Sequence, residues 1–493
     1  MRLEINGEVK RYYVQTLLML FFPGEKYAEE DDGSGKRAVI NVRIADGTAF
    51  CEADVCGVHG EGSCLLPSAE AAGEDYRREI RTEERAVKIA VGRAVFAAAR
   101  TLSGRRPPWG ILTGVRPSKL ASAYLADGFS EEEVRRIFEE DYLLTGEKAS
   151  LVTEVAIREK KILDAVPDGR CSVYLSIPFC PSRCAYCSFV SYSTPRLLKM
   201  IPDYLEKLQQ DIVSIGEQTR QTGLRPYTVY IGGGTPTILS PTQLDSLMKT
   251  VNENLDLSDI AEFTVEGGRP DTITDEKLAS IKAGGVTRLS VNTQTLNDDV
   301  LRAIGRKHTS ADFYEAFNKA RRSGIKYINT DLICGLECGG ITESAESFAR
   351  SFDLVAELRP DNITVHAFTV KKAAEAAAEG FESCSSGEKD AAEGVSYALS
   401  ASRTAGYSPY YMYRQKNTVG NLENVGYCLP GSEGIYNILI MEETQTIFGA
   451  GAGSVTKLVR PGEGKNGSCG IERIFAPKYP YEYLAPPSKK DEK

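Results

Sequence analysis

The sequence is short of positive charge. Its 493 residues carry 59 Lys and Arg against 68 Asp and Glu, a formal charge of -9 at pH 7. General nucleic-acid binding needs a basic footprint, so that class is excluded, although one local basic pocket is not. A long apolar run is also missing. The stretch from Tyr12 to Phe22 follows Glu4 and Glu8 and is too short to span a membrane. No small-residue cleavage site accompanies it, so it reads as core of a first domain and not as a secretory signal. Histidine is scarce: His59, His308 and His366 are the only three, and none follows 366. No internal repeat is apparent. The 12 Cys are expected in a reducing, cytoplasmic compartment, where they do not form a disulfide framework. Length and apolar content allow two or three domains with ample core.

What is present is a cysteine triplet, Cys180-x3-Cys184-x2-Cys187, set among apolar and aromatic residues. Thiolates are the usual protein ligands of iron–sulfur clusters, and a closed [4Fe–4S] cube takes four. Three so closely spaced can hold three irons and leave the fourth open to a small molecule. Zinc is the plainer alternative, but structural zinc prefers four ligands, commonly with a second C-x2-C pair downstream. Here the first spacing is x3 and no second pair follows nearby.

From about 170 to 370 the chain alternates short β-rich runs with amphipathic, helix-length stretches. The runs are Ser172–Ile177, Thr228–Ile231, Glu262–Glu266, Arg288–Asn292, Tyr327–Leu332 and Asn362–Phe368. Alternating β and α implies a parallel sheet with right-handed crossovers. Six units are too few for a closed eightfold barrel. The expected fold class is therefore α/β: a partial (β/α)6 barrel over 166–375, an α+β domain over 1–165 and an accessory region over 376–493.

In parallel β/α barrels the chemistry sits at the C-terminal ends of the strands. The triplet follows the first run, and Gly232-Gly-Gly-Thr235-Pro-Thr237 follows the second. Glu266 ends the third, Gln294 follows the fourth and Asp331 lies near the end of the fifth. These features point to one rim. The glycines let backbone groups approach a ligand closely, Glu266 is placed to accept from a hydroxyl, and the Arg306 fork matches a carboxylate.

Taken together these motifs resemble the oxygen-independent coproporphyrinogen III oxidases of the radical S-adenosylmethionine (SAM) superfamily. The resemblance rests on Tyr174-x-x-Ile-Pro-Phe-Cys180, Gly232-Gly-Gly-Thr-Pro-Thr237, Glu266, Gln294 with Arg306 twelve residues on, and Asn329-Thr-Asp331-Leu-Ile-Cys-Gly-Leu336. The N-terminal part, with Trp109-Gly-Ile-Leu-Thr-Gly-Val-Arg-Pro117, looks like the subgroup carrying such an extension. The resemblance implies that Cys180, Cys184 and Cys187 bind a [4Fe–4S] cluster. Tyr174, Gly233 and Glu266 would contact the SAM on it. Tyr186, Gly234, Thr235, Gln294, Arg306 and Asp331 would line the site for a second SAM. The implied activity is an oxidoreductase reaction of porphyrin and haem biosynthesis. A 5′-deoxyadenosyl radical takes a hydrogen from the propionate carbon next to the ring, CO2 leaves, and a vinyl remains on two of the substrate's side chains. An outside acceptor takes the last electron, and a donor such as flavodoxin or ferredoxin supplies the first. The implied partners are thus a tetrapyrrole and an electron donor, with no nucleic acid and no membrane span.

Two positions depart from the family. Phe189 stands where the best-known oxidase has a fourth Cys, and the end of the sixth run, Val365-His366-Ala-Phe-Thr369, is different. The rival readings are a haem-binding chaperone, which wants a histidine motif in the C-terminal region where this chain has none, and a radical SAM methyltransferase.

The N-terminal region offers two further expectations. Cys51, Cys56, His59 and Cys64 are either small core residues or ligands for zinc. The basic stretch from Arg105 to Arg116 is either a solvated face with a structural turn, or reaches the barrel mouth to hold propionates with Trp109 on the flat macrocycle. Thr82–Leu102 is expected to be an amphipathic helix.

Overall fold

A computed structural model describes residues 1–30, 33–67, 82–187, 191–369, 386–415, 418–460 and 470–486. At the N-terminus four strands form one sheet in sequence order: β1 (Arg2–Asn6), β2 (Arg37–Ala45), β3 (Thr48–Val55) and β4 (Val58–Leu65). The helix Glu83–Ser103 lies across it, one residue from the expected bounds. Thr82 caps its start by accepting from the Arg85 N–H at 3.1 Å, and Gly104 ends it at φ 69°. The Ala90–Ala94–Ala98 stripe of this helix sits directly on β4. A Cβ at Gly60 would come within 2.3 Å of the Ala94 carbonyl oxygen, and one at Gly62 within 2.2 Å of that of Ala90. Glycine alone permits that approach.

The same hairpin decides the Cys–His cluster. Cys51 pairs with Gly62 and Cys64 with Ala49, while His59 pairs with Asp54. Strand alternation puts His59 on the opposite face from Gly60, Gly62 and Cys64, and its ring meets Glu61 at 3.1 Å. Cys51 is buried and Cys56 lies exposed in the turn. The four side chains are not brought together.

A second sheet runs through the rest of the chain. Its parallel core is β5 (Arg170–Ile177), β6 (Arg225–Gly233), β7 (Glu262–Glu266), β8 (Arg288–Ser290), β9 (Tyr327–Cys334) and, after the small hairpin β10 (Glu337–Cys338) and β11 (Ile341–Thr342), β12 (Asn362–Ala367). The six runs read from sequence are these strands. The C-terminal residues then extend both edges. β14 (Glu423–Cys428) pairs antiparallel with β12 and carries β13 (Ser408–Arg414) outside it. β15 (Ile447–Ala450) lies parallel to β5, followed by β16 (Val455–Arg460) and β17 (Gly470–Phe475). The result, among the described residues, is an open sheet of 11 strands, not a closed barrel.

The two faces of the parallel core differ. Val173, Leu175, Val229, Ile231, Phe263, Val265 and Leu289 point outward and are buried under helices such as Ile201–Thr222 and Pro241–Asn254. The inner face is polar or aromatic along every strand: Tyr174 and Ser176, Thr228 and Tyr230, Thr264 and Glu266, Ser290, Asn329 and Asp331, Thr364 and His366. A face that was only core would carry apolar side chains at these positions. The lower end of the crescent is sealed by a buried ion pair. Arg288 donates to Glu262 at 3.0 Å, to Asn329 at 2.8 Å and to the carbonyls of Ser432 and Glu433 at 2.9 Å. Glu262 in turn accepts the N–H groups of Ile435 and Tyr436, which begin the helix Ile435–Glu442.

The stretch around Trp109 does not reach the mouth. Trp109 is fully buried and its Nε1 donates to Glu423 Oε2 at 2.7 Å. The Arg414 guanidinium stacks on its ring at 4.9 Å, and Lys148 closes on Glu423 at 2.7 Å. Arg116 pairs with Glu443 at 2.9 Å, and Arg105 pairs with Glu388. The propionate-holding expectation is not met, because the indole is consumed in a seam between the N-terminal region and β13–β14 while Arg105 and Arg116 are taken up by carboxylates; Arg106 stays exposed, as a solvated face would have it. Among the described residues no helix is long and apolar enough to cross a membrane.

One buried acid outside the site gives a pH signature. Glu343 is 1 % exposed, accepts from Thr295 and Ser347 through Oε1, and leaves Oε2 without a partner among the described residues. Burial pushes its carboxyl up to about 7. The folded state then holds the proton more tightly than the unfolded chain, so its contribution is complete below about pH 4.5 and is lost as pH rises through 7. Glu343→Gln is expected to abolish that loss. Relative to the variant, the wild type should weaken by about 3 kcal/mol between pH 4.5 and 8, read from denaturation midpoints at the two pH values. Parallel pH profiles would refute the assignment.

Candidate functional site

The cysteine loop leaves the end of β5 and is fastened to its neighbours on three sides. The Cys180 N–H donates to the Tyr192 carbonyl at 3.0 Å. From the loop after β6, the N–H groups of Gly234 and Thr235 donate to the Ile177 and Phe179 carbonyls at 2.8 Å. A Cβ on Gly234 would lie 2.6 Å from the Phe179 oxygen, so the second strand's glycines are needed to let the two loops dock. The Ala185 N–H donates to the Ile304 carbonyl at 3.1 Å. Cys180 and Cys184 are buried and Cys187 is half-buried. Thr235 Oγ1 donates to Cys180 Sγ at 3.3 Å. Phe189 falls outside the described residues.

The rim residues named from sequence surround this loop. Glu266 closes β7 and accepts from Tyr230 and, at 3.3 Å, from the Gly233 N–H. Burial pushes it up to about 7, reinforced by the Asp331 carboxylate, with the Tyr230 hydroxyl opposing. Near neutral pH it therefore stands between acid and carboxylate. Gly233 has φ 107°, a conformation that admits glycine. Tyr174 lies beside Tyr230, which stacks on Tyr436 at 4.4 Å. Arg306 reaches Tyr186 Oη at 3.1 Å, the Gly268 carbonyl at 3.2 Å and the Asn292 carbonyl at 3.5 Å. Gln294 is held at φ 74° between the Asp331 and Ile333 backbones. Asp331 accepts from Asn292 at 2.8 Å and faces His366 Nε2 at 3.7 Å, while Tyr413 Oη meets His366 Nδ1 at 3.2 Å.

All twelve positions named from sequence thus lie at one mouth. Sequence reasoning missed Tyr230, Asn292, His366, Tyr413, Tyr436 and Arg269. The signal was available for the first three, because each lies two residues along its strand or strand end from an inner-face position. Tyr413 and Tyr436 had none, since the strand and helix that deliver them are remote in sequence.

The residues fit the groups that the resemblance implies. Among the described residues no three metal-ligating side chains already stand as a formed cage, so the fit rests on donor chemistry. Three thiols come from one short loop, and two of their sulfurs accept hydrogen bonds from the opposite wall. Burial pushes the Cys180 thiol up, and a metal ion bound there would displace that proton. Ser290 Oγ, Gln294 Oε1, Arg306 Nε and Tyr436 Oη are buried on the inner face or mouth without a hydrogen-bond partner among the described residues. Orphaned polar atoms of this kind are costly unless a ligand meets them.

Comparisons with known proteins agree with this geometry. Residues 174–355 match the radical SAM superfamily. The chain is 39 % identical over 387 residues to the oxygen-independent coproporphyrinogen-III oxidase-like protein HemZ of Bacillus subtilis, covering 77 % of this chain and 75 % of that protein. It is 40 % identical over 187 residues to the heme chaperone HemW of the same organism, covering 38 % of this chain and 48 % of that one. Among solved structures it shares the fold of coproporphyrinogen III oxidase (HemN) from Escherichia coli, with a TM-score of 0.51 at 24 % identity over 67 % of this chain and 71 % of that one. The chain therefore belongs to the radical SAM superfamily, in the family of the oxygen-independent coproporphyrinogen III oxidases and their oxidase-like relatives.

Proposed function

We propose that the protein is a radical SAM oxidoreductase that decarboxylates two propionates of coproporphyrinogen III to vinyls, giving protoporphyrinogen IX. The observation that carries the reading is the convergence at one mouth of the cysteine loop with inner-face polar atoms that have no partner among the described residues. The extent of the likeness to the oxidase-like relative supports the substrate class. It spans 387 residues and so takes in sequence outside the 182-residue superfamily match at 174–355.

As a radical SAM protein the chain uses a [4Fe–4S] cluster and SAM, which together supply a one-electron cleavage yielding a carbon radical able to take a hydrogen atom from a C–H bond. Cys180, Cys184 and Cys187 are assigned to the cluster. The Gly232–Gly234 backbone and Glu266 are assigned to binding SAM, with Glu266 accepting from a hydroxyl and Tyr174 supplying a ring wall. Arg306, Gln294 and Asp331 orient the remaining ligand. The partly enclosed, Tyr-lined crescent excludes water from the reacting carbon, which protects a radical from quenching. For each propionate one C–H hydrogen leaves, the bond to the carboxyl breaks, CO2 departs, and one electron passes to an external acceptor.

The likeness to a heme chaperone over 187 residues favours a second reading, in which the protein binds haem and passes it on. His366 is the imidazole available at the mouth, since His308 is buried and His59 lies on the N-terminal sheet. One anaerobic experiment separates the two. Reconstituted protein is incubated with coproporphyrinogen III, SAM and a reductant, and the tetrapyrrole is followed by mass spectrometry. Loss of two CO2 with matching 5′-deoxyadenosine is the expected result. An unchanged tetrapyrrole together with tight haem binding and no SAM cleavage would establish the chaperone.

A further inference from the structure

The end of β7 does two things within four residues. Glu266 faces the mouth, and then Gly267 and Gly268 reverse the chain. A Cβ on Gly267 would stand 2.5 Å from the Ser290 carbonyl oxygen, and Gly268 has φ 66°. The turn delivers Arg269, a residue 3 % exposed, against the cysteine loop. Its guanidinium grips Asp271 as a fork, with Nε and Nη2 at 3.0 and 3.1 Å from the two carboxylate oxygens. The remaining nitrogen, Nη1, donates to Ser182 Oγ at 3.0 Å and to the Ser182 carbonyl at 3.4 Å, and reaches Cys184 Sγ at 3.8 Å. The Asp271 fork leaves Nη1 little freedom to turn elsewhere.

Hydrogen bonds to cluster sulfurs, local charge and exclusion of solvent set the reduction potential of an iron–sulfur centre. A donor to a ligating sulfur draws negative charge from the cluster and favours the reduced form, and a cationic donor does so more strongly than a neutral one. Cys180 has a neutral donor in Thr235; Cys184 has a cationic one.

We propose that Arg269 is a positioning residue that raises the reduction potential of the cluster through its N–H bond to Cys184 Sγ, so that a weaker electron donor suffices to reduce it. The proposal rests on the assignment of the three cysteines to the cluster. Asp271 holds the guanidinium in place and offsets part of its charge at long range, which leaves the directed N–H contact as the dominant effect.

The test is an EPR-monitored redox titration of anaerobically reconstituted wild type, Arg269→Lys and Arg269→Gln, each with iron and sulfide quantified. The midpoint is expected to become more negative in the Gln protein at full iron content. The Lys protein, which keeps the charge and loses the fork, should fall between. A Gln variant with a complete cluster at the wild-type midpoint overturns the proposal. Loss of the cluster from both variants overturns it too, since Arg269 is then an anchor of the loop alone. A wild-type protein that takes up no [4Fe–4S] cluster refutes the cysteine assignment itself, a result distinct from a cluster-bearing variant at unchanged potential.

Discussion

Cys184→Ala is expected to form no 5′-deoxyadenosine and to hold no stable [4Fe–4S] cluster after anaerobic reconstitution. The same holds for Cys180→Ala and Cys187→Ala. With three protein thiolates for a cube that takes four ligands, there is no spare donor. Two other cysteines of the same sheet are placed elsewhere or already bonded. Cys171 is buried near the start of β5, at the other end of that strand from the loop, and Cys334 is committed to the Ala391 carbonyl at 3.4 Å. The loss should therefore be all or none in product formation, far beyond the tenfold changes expected from residues that only orient SAM. Product is measured by chromatography, with iron analysis and EPR on the same samples. Measurable 5′-deoxyadenosine from Cys184→Ala would end the assignment, and so would a purified protein that carries zinc in place of iron.

Glu423→Ala should cost about 3–5 kcal/mol of stability, the range for removing one partner of a buried pair. Glu423 is 1 % exposed and Lys148 2 %. Burial works against the Glu423 charge, yet Lys148 and Trp109 hold its carboxyl below the usual range. Removing it leaves the Trp109 N–H without its acceptor, and Lys148 with Glu147 alone at 2.8 Å. The double variant Glu423→Leu with Lys148→Met should recover much of the loss, because neither charge is then buried unpaired. Chemical denaturation of the three proteins gives the comparison. A Glu423→Ala protein as stable as wild type would mean that the seam contributes nothing to folding.

The parallel core and its rim were legible because the outer face is apolar at every second residue and because functional strand ends follow one another in a fixed rhythm. The six strands and the helices between them fall where periodicity puts them, and Glu266, Gln294 and Asp331 follow from the rule for strand ends. What escaped depends on long-range pairing. β15 lies beside β5 across some 270 residues, with Ile447 opposite Ser172. No local signal marks either as the other's neighbour. The Trp109 stretch misled for the same reason. An indole among arginines looks like an exposed ligand platform until its acceptor, Glu423, is brought to it from 314 residues away. Arg269 stands three residues after Glu266 in the sequence. Its task became visible only when the Gly267–Gly268 turn placed it against Ser182 and Cys184.

Trp109 is the sole tryptophan of the chain, and it lies at the seam that joins the N-terminal region to the strand pair carrying Tyr411 and Tyr413. Its fluorescence, excited beyond the absorption of the 24 tyrosines, is therefore a built-in optical reporter of that one junction. A red shift that precedes loss of the sheet's circular dichroism signal on denaturation would mean that the junction parts first, and coincident transitions that the two regions unfold as a unit.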